Sequence, residues 1–140
     1  MFILDTDHIF LFQRNHPHVS AHILATPPLE LVTTVVTVEE QLRGRLERVR
    51  RARSDVEVVR AYQNLLGTVL YFRTIQIMGF DQHAQVIFRD LRAQRVRIGT
   101  QDLRIAAIGL SQGAILVTRN QQDFAALPSL QTVDWSLPDT

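Results

Sequence analysis

Acidic side chains fall at four places in this 140-residue chain where their type and spacing could support chemistry. They are Asp5 with Asp7, Glu39 with Glu40, Asp102, and Asp123. Carboxylates that crowd into one pocket repel one another unless a cation lies between them. Mg²⁺ suits such a pocket, because it binds oxygen ligands and commonly uses a few carboxylates together with substrate phosphate. The set therefore predicts metal-assisted displacement at a phosphate group.

Short apolar segments that resemble buried strands precede three of these four places. The predicted strand over residues 2–4 ends at Asp5, and the one over 31–36 ends shortly before Glu39 and Glu40. A third, over 114–117, precedes Asp123. Ligands of an open α/β sheet bind beyond the carboxyl ends of its strands, so these acids are expected at one edge. Asp102 opens a predicted helix instead, and the pattern alone does not bring it to the same edge.

Each acid also has a purely structural interpretation, which taken singly is the more common one. Asp5 or Asp7 could cap the helix that follows, since aspartate accepts hydrogen bonds from exposed amide groups there. A negative charge at Asp102 is favoured by the dipole of the helix that it opens.

The choice between Glu39 and Glu40 stays open on the residues alone. Thr37 and Glu40 have the spacing of a capping box, in which the glutamate reaches back to the backbone. Helical periodicity points Glu40 away from the apolar stripe of its helix and puts Glu39 nearer the edge of that stripe.

The remaining pattern alternates strands with helices along the whole chain. Further strands are predicted over 75–78 and 132–135, and helices over 19–24, 37–52, 54–69, 82–93 and 100–110, with a turn-rich segment around Pro17. This alternation predicts an α/β fold of one domain, residues 1–140, with helices on both faces of a parallel sheet.

Composition excludes several classes of protein. The chain has no cysteine, and all fifteen of its basic side chains are arginine, which removes thiolate zinc sites, cysteine nucleophiles and any lysine chemistry. No segment approaches the roughly 20 apolar residues of a membrane span, and the N-terminus lacks the pattern of a signal peptide. We therefore expect a cytoplasmic protein without membrane contact.

Arginine and histidine are unevenly distributed. Seven arginines lie between Arg43 and Arg60, where they could face phosphates or form a solvated helix face with neighbouring acids, and the two interpretations have equal weight. Four of the five histidines lie between His8 and His22, and we expect surface positions for them rather than a zinc site. Trp135 is expected to pack in a short terminal strand.

Five segments agree in order and separation with a known pattern. They are LDTD at 4–7, T-x-x-E-x-x-x-G at 37–44, IGTQD at 98–102 with IAA at 105–107, LVTRNQQDF at 116–124, and VDW at 133–135. Together they resemble the PIN domain, specifically the ribonuclease toxin of VapBC-type toxin-antitoxin pairs, over nearly the full chain. Departures from the family pattern are Asp7, where asparagine is usual, and Gln41, where leucine is usual.

The resemblance implies a three-layer α/β/α sandwich with a mainly parallel sheet of about four to five strands. It also implies an endoribonuclease that cleaves RNA with Mg²⁺ or Mn²⁺, in which Asp5, Glu40 and Asp102 hold the metal. Gly44 fixes the register that selects Glu40 over Glu39. Asn120 and Asp123 both lie in the segment that supplies the fourth position, and of the two we expect Asp123 to be an additional acid at the catalytic site.

The same resemblance gives roles to the residues after the fourth strand and implies partners. Thr118, Arg119 and Asn120 are expected near the RNA substrate, and Thr118 and Asn120 could also support or weakly bind the metal. A cognate antitoxin protein is implied as partner, within a homodimer or a toxin-antitoxin hetero-oligomer.

Two other functions are compatible with parts of the pattern. The D-x-D of residues 5–7 also resembles haloacid-dehalogenase-type phosphatases, but that chemistry normally uses a lysine, which this chain lacks. A catalytically inactive PIN fold that binds RNA or protein is the second alternative. Retention of the three principal acids argues against it.

Overall fold

A five-stranded parallel sheet forms the centre of the molecule, described over residues 1–139 by a computed structural model. Its strands are β1 Phe2–Leu4, β2 Leu31–Thr34, β3 Gln76–Met78, β4 Ile115–Val117 and β5 Thr132–Val133. Their order in the sheet is β3-β2-β1-β4-β5, and all four neighbouring pairs are parallel. The predicted α/β class with a parallel sheet is confirmed.

Over the described residues, seven α-helices and one short 3-10 helix surround the sheet. They are α1 Thr6–Gln13, α2 Pro17–Ala25, the 3-10 turn Pro28–Glu30, α3 Val35–Arg51, α4 Asp55–Phe72, α5 Gln82–Ala93, α6 Thr100–Gln112 and α7 Gln121–Phe124. None of the helices in the part of the chain that the structure describes has the length and apolar character needed to cross a bilayer.

Several boundaries differ from the sequence-based prediction, and two of the differences lie next to the acidic residues. The segment expected to be rich in turns begins with α1, whose consecutive apolar residues 9–12 hide the helical period. The second strand was predicted to reach residue 36, but Val35 and Val36 belong to α3. Thr34 caps that helix by accepting a hydrogen bond from Thr37 N at 3.1 Å, and this cap outweighs the strand propensity of the two valines.

The sheet reverses its order between β1 and β4. From β1 the chain adds β2 and β3 on one side, and then crosses back to place β4 on the other side. Leu4 lies beside Val117 in the register, so the residues that follow these two strands emerge next to each other. A crevice at this reversal is where open α/β sheets bind ligands.

Apolar side chains pack on both faces of the sheet. Ile3, Val32 and Leu116 belong to a core cluster with helices α5 and α6, whereas Leu4 and Val117 belong to a second cluster with α1 and α2. Neighbouring residues of a strand point to opposite faces, so the two clusters are the two interfaces of a three-layer sandwich. The predicted three-layer architecture is confirmed.

Candidate active site

Asp5 is held at the carboxyl end of β1 by hydrogen bonds to both of its carboxylate oxygens. Thr6 N donates to Oδ1 at 2.8 Å, so the side chain caps α1, and the Thr118 hydroxyl donates to Oδ2 at 2.8 Å. Burial raises the pKa of Asp5 to about 6, with further contributions from Asp7 and Asp102, although these two hydrogen bonds oppose the rise. The capping and site interpretations of Asp5 are therefore compatible, since one carboxylate does both.

Glu40 lies in the second turn of α3, half-buried, while Glu39 is exposed. Since Thr34 caps the helix, the proposed capping box of Thr37 and Glu40 does not form. Periodicity, which puts Glu40 away from the apolar stripe and left the choice between the two glutamates open, did not indicate that Glu40 is the more buried of the two. Burial raises the pKa of the Glu40 carboxyl, followed by repulsion from Asp5 and then Asp102, which places these acids in one electrostatic field.

Asp102 lies in the first turn of α6, one turn after the N-cap Gly99. Its pKa is raised by burial, then by Asp123 and Asp7. A carboxylate beside the positive end of a helix would ordinarily be favoured in its charged form, so these neighbouring acids act against the helix dipole. The fold thus brings Asp102 to the edge at which Asp5 and Glu40 lie.

Glu39 has a structural role next to this group. Its carboxylate accepts a hydrogen bond from Arg43 Nη2 at 2.6 Å and another from Gln101 Nε2 at 2.9 Å. The second contact joins α3 to the start of α6, beside Asp102. Glu39 therefore links the two helices that present Glu40 and Asp102.

Asp7 and His8 connect the same edge to the C-terminal segment. Asp7 lies 2.7 Å from His8 Nδ1 through one oxygen and accepts from Arg119 N at 3.0 Å through the other. His8 is fully buried, and its Nε2 accepts a hydrogen bond from Trp135 N at 3.0 Å. The expected surface position is therefore wrong for His8. Its buried ring joins Asp7 to the backbone of Trp135, which the sequence pattern did not indicate. Trp135 is buried, as expected, but lies just outside β5.

The residues that follow β4 form a chain of hydrogen bonds. Thr118 is fully buried, and its hydroxyl also accepts from Asn120 N at 3.0 Å. Asn120 Nδ2 donates to Asp123 Oδ2 at 3.0 Å, whereas Arg119 and Asp123 are exposed. Burial disfavours direct contact of Thr118 with substrate and suits it to hold Asp5. Arg119, Asn120 and Asp123 remain accessible from solvent.

The oxygen donors of this site suit a divalent cation that keeps part of its water shell, and they do not form a closed cage of protein ligands. Within residues 1–139, no group of three or more His, Asp or Glu side chains is arranged to hold a metal ion. Mg²⁺ commonly needs only one or two carboxylates, with water completing its shell. Thr6 Oγ1 is buried, has no hydrogen-bond partner within residues 1–139, and lies near enough to Glu40 to oppose the rise of its pKa. Oxygen donors, mutual repulsion and an unpartnered hydroxyl together fit such an ion.

Some arginine side chains of helix α3 form ion pairs with glutamates of the same helix. Arg43 pairs with Glu39, while Arg50 and Arg51 both pair with Glu47. For these three arginines the interpretation as a solvated helix face is supported, and exposed pairs of this kind add little stability.

Comparison with known proteins shows relatives along nearly the whole chain. The chain is 29% identical over 140 residues to the protein named Ribonuclease VapC1 of Haemophilus influenzae strain R2866, covering 97% of this chain and 98% of the relative. It is 33% identical over 78 residues to Ribonuclease VapC1 of Rickettsia felis, covering 56% of this chain and 55% of the relative. No family model matches.

Solved structures share the fold. VapBC-1 from nontypeable Haemophilus influenzae has a TM-score of 0.77 at 23% identity, covering 97% of this chain and 98% of the other. DNA-bound VapBC from Salmonella typhimurium has a TM-score of 0.77 at 21% identity, covering 96% and 97%. The resemblance to VapC-like PIN ribonucleases carried by the sequence motifs is confirmed.

Proposed function

We propose that this VapC-like chain is a metal-dependent endoribonuclease that cleaves RNA phosphodiester bonds and acts as the toxin of a toxin-antitoxin pair in the cytoplasm. The observation that carries the proposal is the electrostatic coupling of Asp5, Glu40 and Asp102, each of which has a raised pKa. Such coupling at a sheet reversal is costly to the fold and is typical of a functional site.

Asp5, Glu40 and Asp102 would hold hydrated Mg²⁺ or Mn²⁺, one or two of them directly and the rest through its water shell, with Asp123 as an additional acid at the rim. When bound, the ion supplies an activated water and neutralises charge on the scissile phosphate. Thr118 and Thr6 N orient the Asp5 carboxylate through both oxygens.

At the exposed end of the site, Arg119 and Asn120 would contact the RNA. The backbone N of Arg119 donates to Asp7 Oδ2 at 3.0 Å, which holds this exposed residue next to the acidic group. A guanidinium there would bind a phosphate next to the one that is cleaved.

A metal titration tests the proposal directly. Cleavage of a fluorescently labelled structured RNA should be absent in EDTA, restored by Mg²⁺ or Mn²⁺, and lost in Asp5→Asn. The control Asp55→Asn changes an exposed acid at the start of α4 and should cleave like wild type. If no divalent ion supports cleavage and Asp5→Asn binds RNA unchanged, the chain is a binding module and the enzyme proposal is wrong.

The antitoxin, or a second copy of the chain, would cover the apolar face of α4. Val59, Tyr62 and Leu66 are 56%, 55% and 58% exposed and lie at helical spacing on one side. The structural neighbours are VapBC complexes, which supports a partner of the antitoxin kind. Light scattering on the chain alone and with its cognate antitoxin should show assembly that Leu66→Glu weakens, whereas a Leu66→Glu variant that assembles like wild type would exclude this face.

A further inference from the structure

A groove of about 250 Å³ opens beside Glu40, between the start of α1 and the middle of α3. Its walls include Thr6, Phe10, Glu40, Gly44, Arg45 and Arg48. We propose that this groove binds a nucleotide of single-stranded RNA that adjoins the cleaved phosphodiester, with Arg48 and Arg45 at its phosphates and Phe10 at its base. The inference rests on the proposed ribonuclease function and adds the site at which the substrate strand lies.

The two arginines of the groove differ from their neighbours on α3. No ion pair within residues 1–139 involves Arg45 or Arg48, whereas Arg50 and Arg51 share Glu47. Arg45 is half-buried and donates through Nε to Thr68 Oγ1 at 3.0 Å, which fixes its direction. Since no carboxylate in the described part of the chain forms an ion pair with them, both guanidinium groups are available to phosphate oxygens.

Phe10 supplies the aromatic surface that a base would need. Its side chain is 44% exposed, which is unusual for phenylalanine, and the Arg14 guanidinium lies 4.1 Å from the ring centroid. Bases of single strands stack on such exposed aromatic rings, and arginine adds cation–π contacts. Bases inside a duplex are already stacked, so this pairing of features favours a single strand.

The basic surface continues past this groove. Arg48 also lines a second hollow, of about 230 Å³, with Arg51 and Arg60 of α3 and α4. The lining of that hollow also includes Glu57, whose carboxylate accepts a hydrogen bond from Arg53 N at 3.0 Å. From Glu40 to Arg48 the helix rises about 12 Å, so the strand could follow α3 away from the acidic group over more than one nucleotide.

Gly44 keeps the groove open. A Cβ added at this position meets no atom within 4 Å, and Gly44 lines the groove, so a larger side chain would enter it. Gly44→Leu is therefore a steric block that alters no charge. Gly44→Ala is its matched control, because a methyl group fills little of the space.

Affinity for RNA, measured without cleavage, tests the inference separately from catalysis. Fluorescence anisotropy with a labelled single-stranded oligoribonucleotide and the wild-type chain in EDTA gives Kd and its dependence on salt. Arg48→Ala should raise Kd and lower the slope of log Kd against log salt by about one, because one phosphate contact is lost. Phe10→Ala should raise Kd about tenfold with an unchanged slope. Arg50→Ala, whose partner is Glu47, should leave both quantities near wild type.

The inference is overturned if Arg48→Ala and Gly44→Leu bind the oligoribonucleotide as tightly as wild type and Arg50→Ala do. It is also overturned if the groove variants lose only the binding of an acidic probe such as hexaglutamate, which would make the groove a peptide site. If the wild-type protein binds RNA through this groove but no divalent ion supports cleavage, the proposed function is wrong and the groove is still an RNA-binding site. Circular dichroism of each variant checks that it is folded.

Discussion

Thr118 Oγ1 donates a hydrogen bond to Asp5 Oδ2 at 2.8 Å, across the pair of strands at which the sheet reverses its order. The same hydroxyl accepts from Asn120 N, so its proton is directed to the carboxylate. Thr6 N holds the other oxygen of Asp5. The carboxylate is therefore fixed from both strands before any ligand arrives.

Replacing Thr118 with valine should shift the pH dependence of the site upward. The hydroxyl lowers the pKa of Asp5, so its loss raises that pKa further and should move the acidic limb of the kcat/KM profile to higher pH. Removing the bond to a buried charged group should also cost roughly 1–3 kcal/mol of stability at pH 7.5. Thr118→Ser keeps the hydroxyl and should match wild type in the profile. Identical profiles for the valine and serine variants would contradict this role of Thr118.

Asp5 should make the metal-free protein less stable as the pH rises. Because its pKa is raised from 3.8 to about 6 on folding, the folded state holds the proton more tightly. Its favourable contribution is complete below the lower value, falls between the two, and is lost above the higher one, amounting to about 3 kcal/mol. Urea unfolding of wild type and Asp5→Asn in EDTA, from pH 4 to 7.5, should show the variant gaining relative to wild type. A constant difference between them would contradict the raised pKa.

The same substitution should lower cleavage strongly at Glu40 and only slightly at its neighbour Glu39. Glu40→Gln removes a charge from the coupled group and should lower cleavage by about 100-fold or more, on the scale of altered metal sites. Glu39→Gln removes an exposed ion pair with Arg43, worth about 1 kcal/mol at most, and should change cleavage little. Initial rates at saturating Mg²⁺ compare the two. Equal losses of cleavage in the two variants would contradict the choice of Glu40 over Glu39 as the site residue.

His8 should matter for stability more than any surface histidine. His8→Ala leaves a cavity in a fully buried position and an unpaired N–H at Trp135, so the free energy of unfolding should fall by about 3 kcal/mol. His83 is exposed in α5, and His83→Ala should change stability by about 0.5 kcal/mol or less. Urea titrations of both variants provide the comparison. A small loss for His8→Ala would show that the C-terminal segment is held by other contacts.

The periodicity of apolar residues predicted the bounds of a helix best where the helix packs mainly against one neighbour. Helix α5 begins and ends where its apolar spacing indicated, at 82 and 93, because one face packs mainly against one neighbouring helix, α6. Helix α3 behaves differently. It contacts β2, α4 and α6, so more than one side of the helix is covered and a single apolar stripe could not show which way Glu40 points.

The candidate site was predictable only in part for a related reason. Asp5 follows a strand that sequence identifies, so topology places it at the carboxyl edge. Asp102 reaches that edge because α6 packs against α3, a long-range arrangement that no local spacing encodes. The resemblance to the PIN family supplied what periodicity could not. The buried His8 link had no such signal, since one histidine in an apolar run looks the same whether buried or exposed.

Gly44 gives a final prediction that separates stability from substrate access. Gly44 lies inside α3 without a left-handed backbone conformation, and an added Cβ meets nothing within 4 Å. Alanine there should stabilise the helix by about 0.5–1 kcal/mol, because glycine loses more backbone freedom on folding. Thermal unfolding of Gly44→Ala should therefore show a higher midpoint, with cleavage close to that of wild type. A lower midpoint would mean that α3 needs glycine for its backbone. A higher midpoint combined with weaker cleavage would mean instead that even a methyl group obstructs the groove beside Glu40.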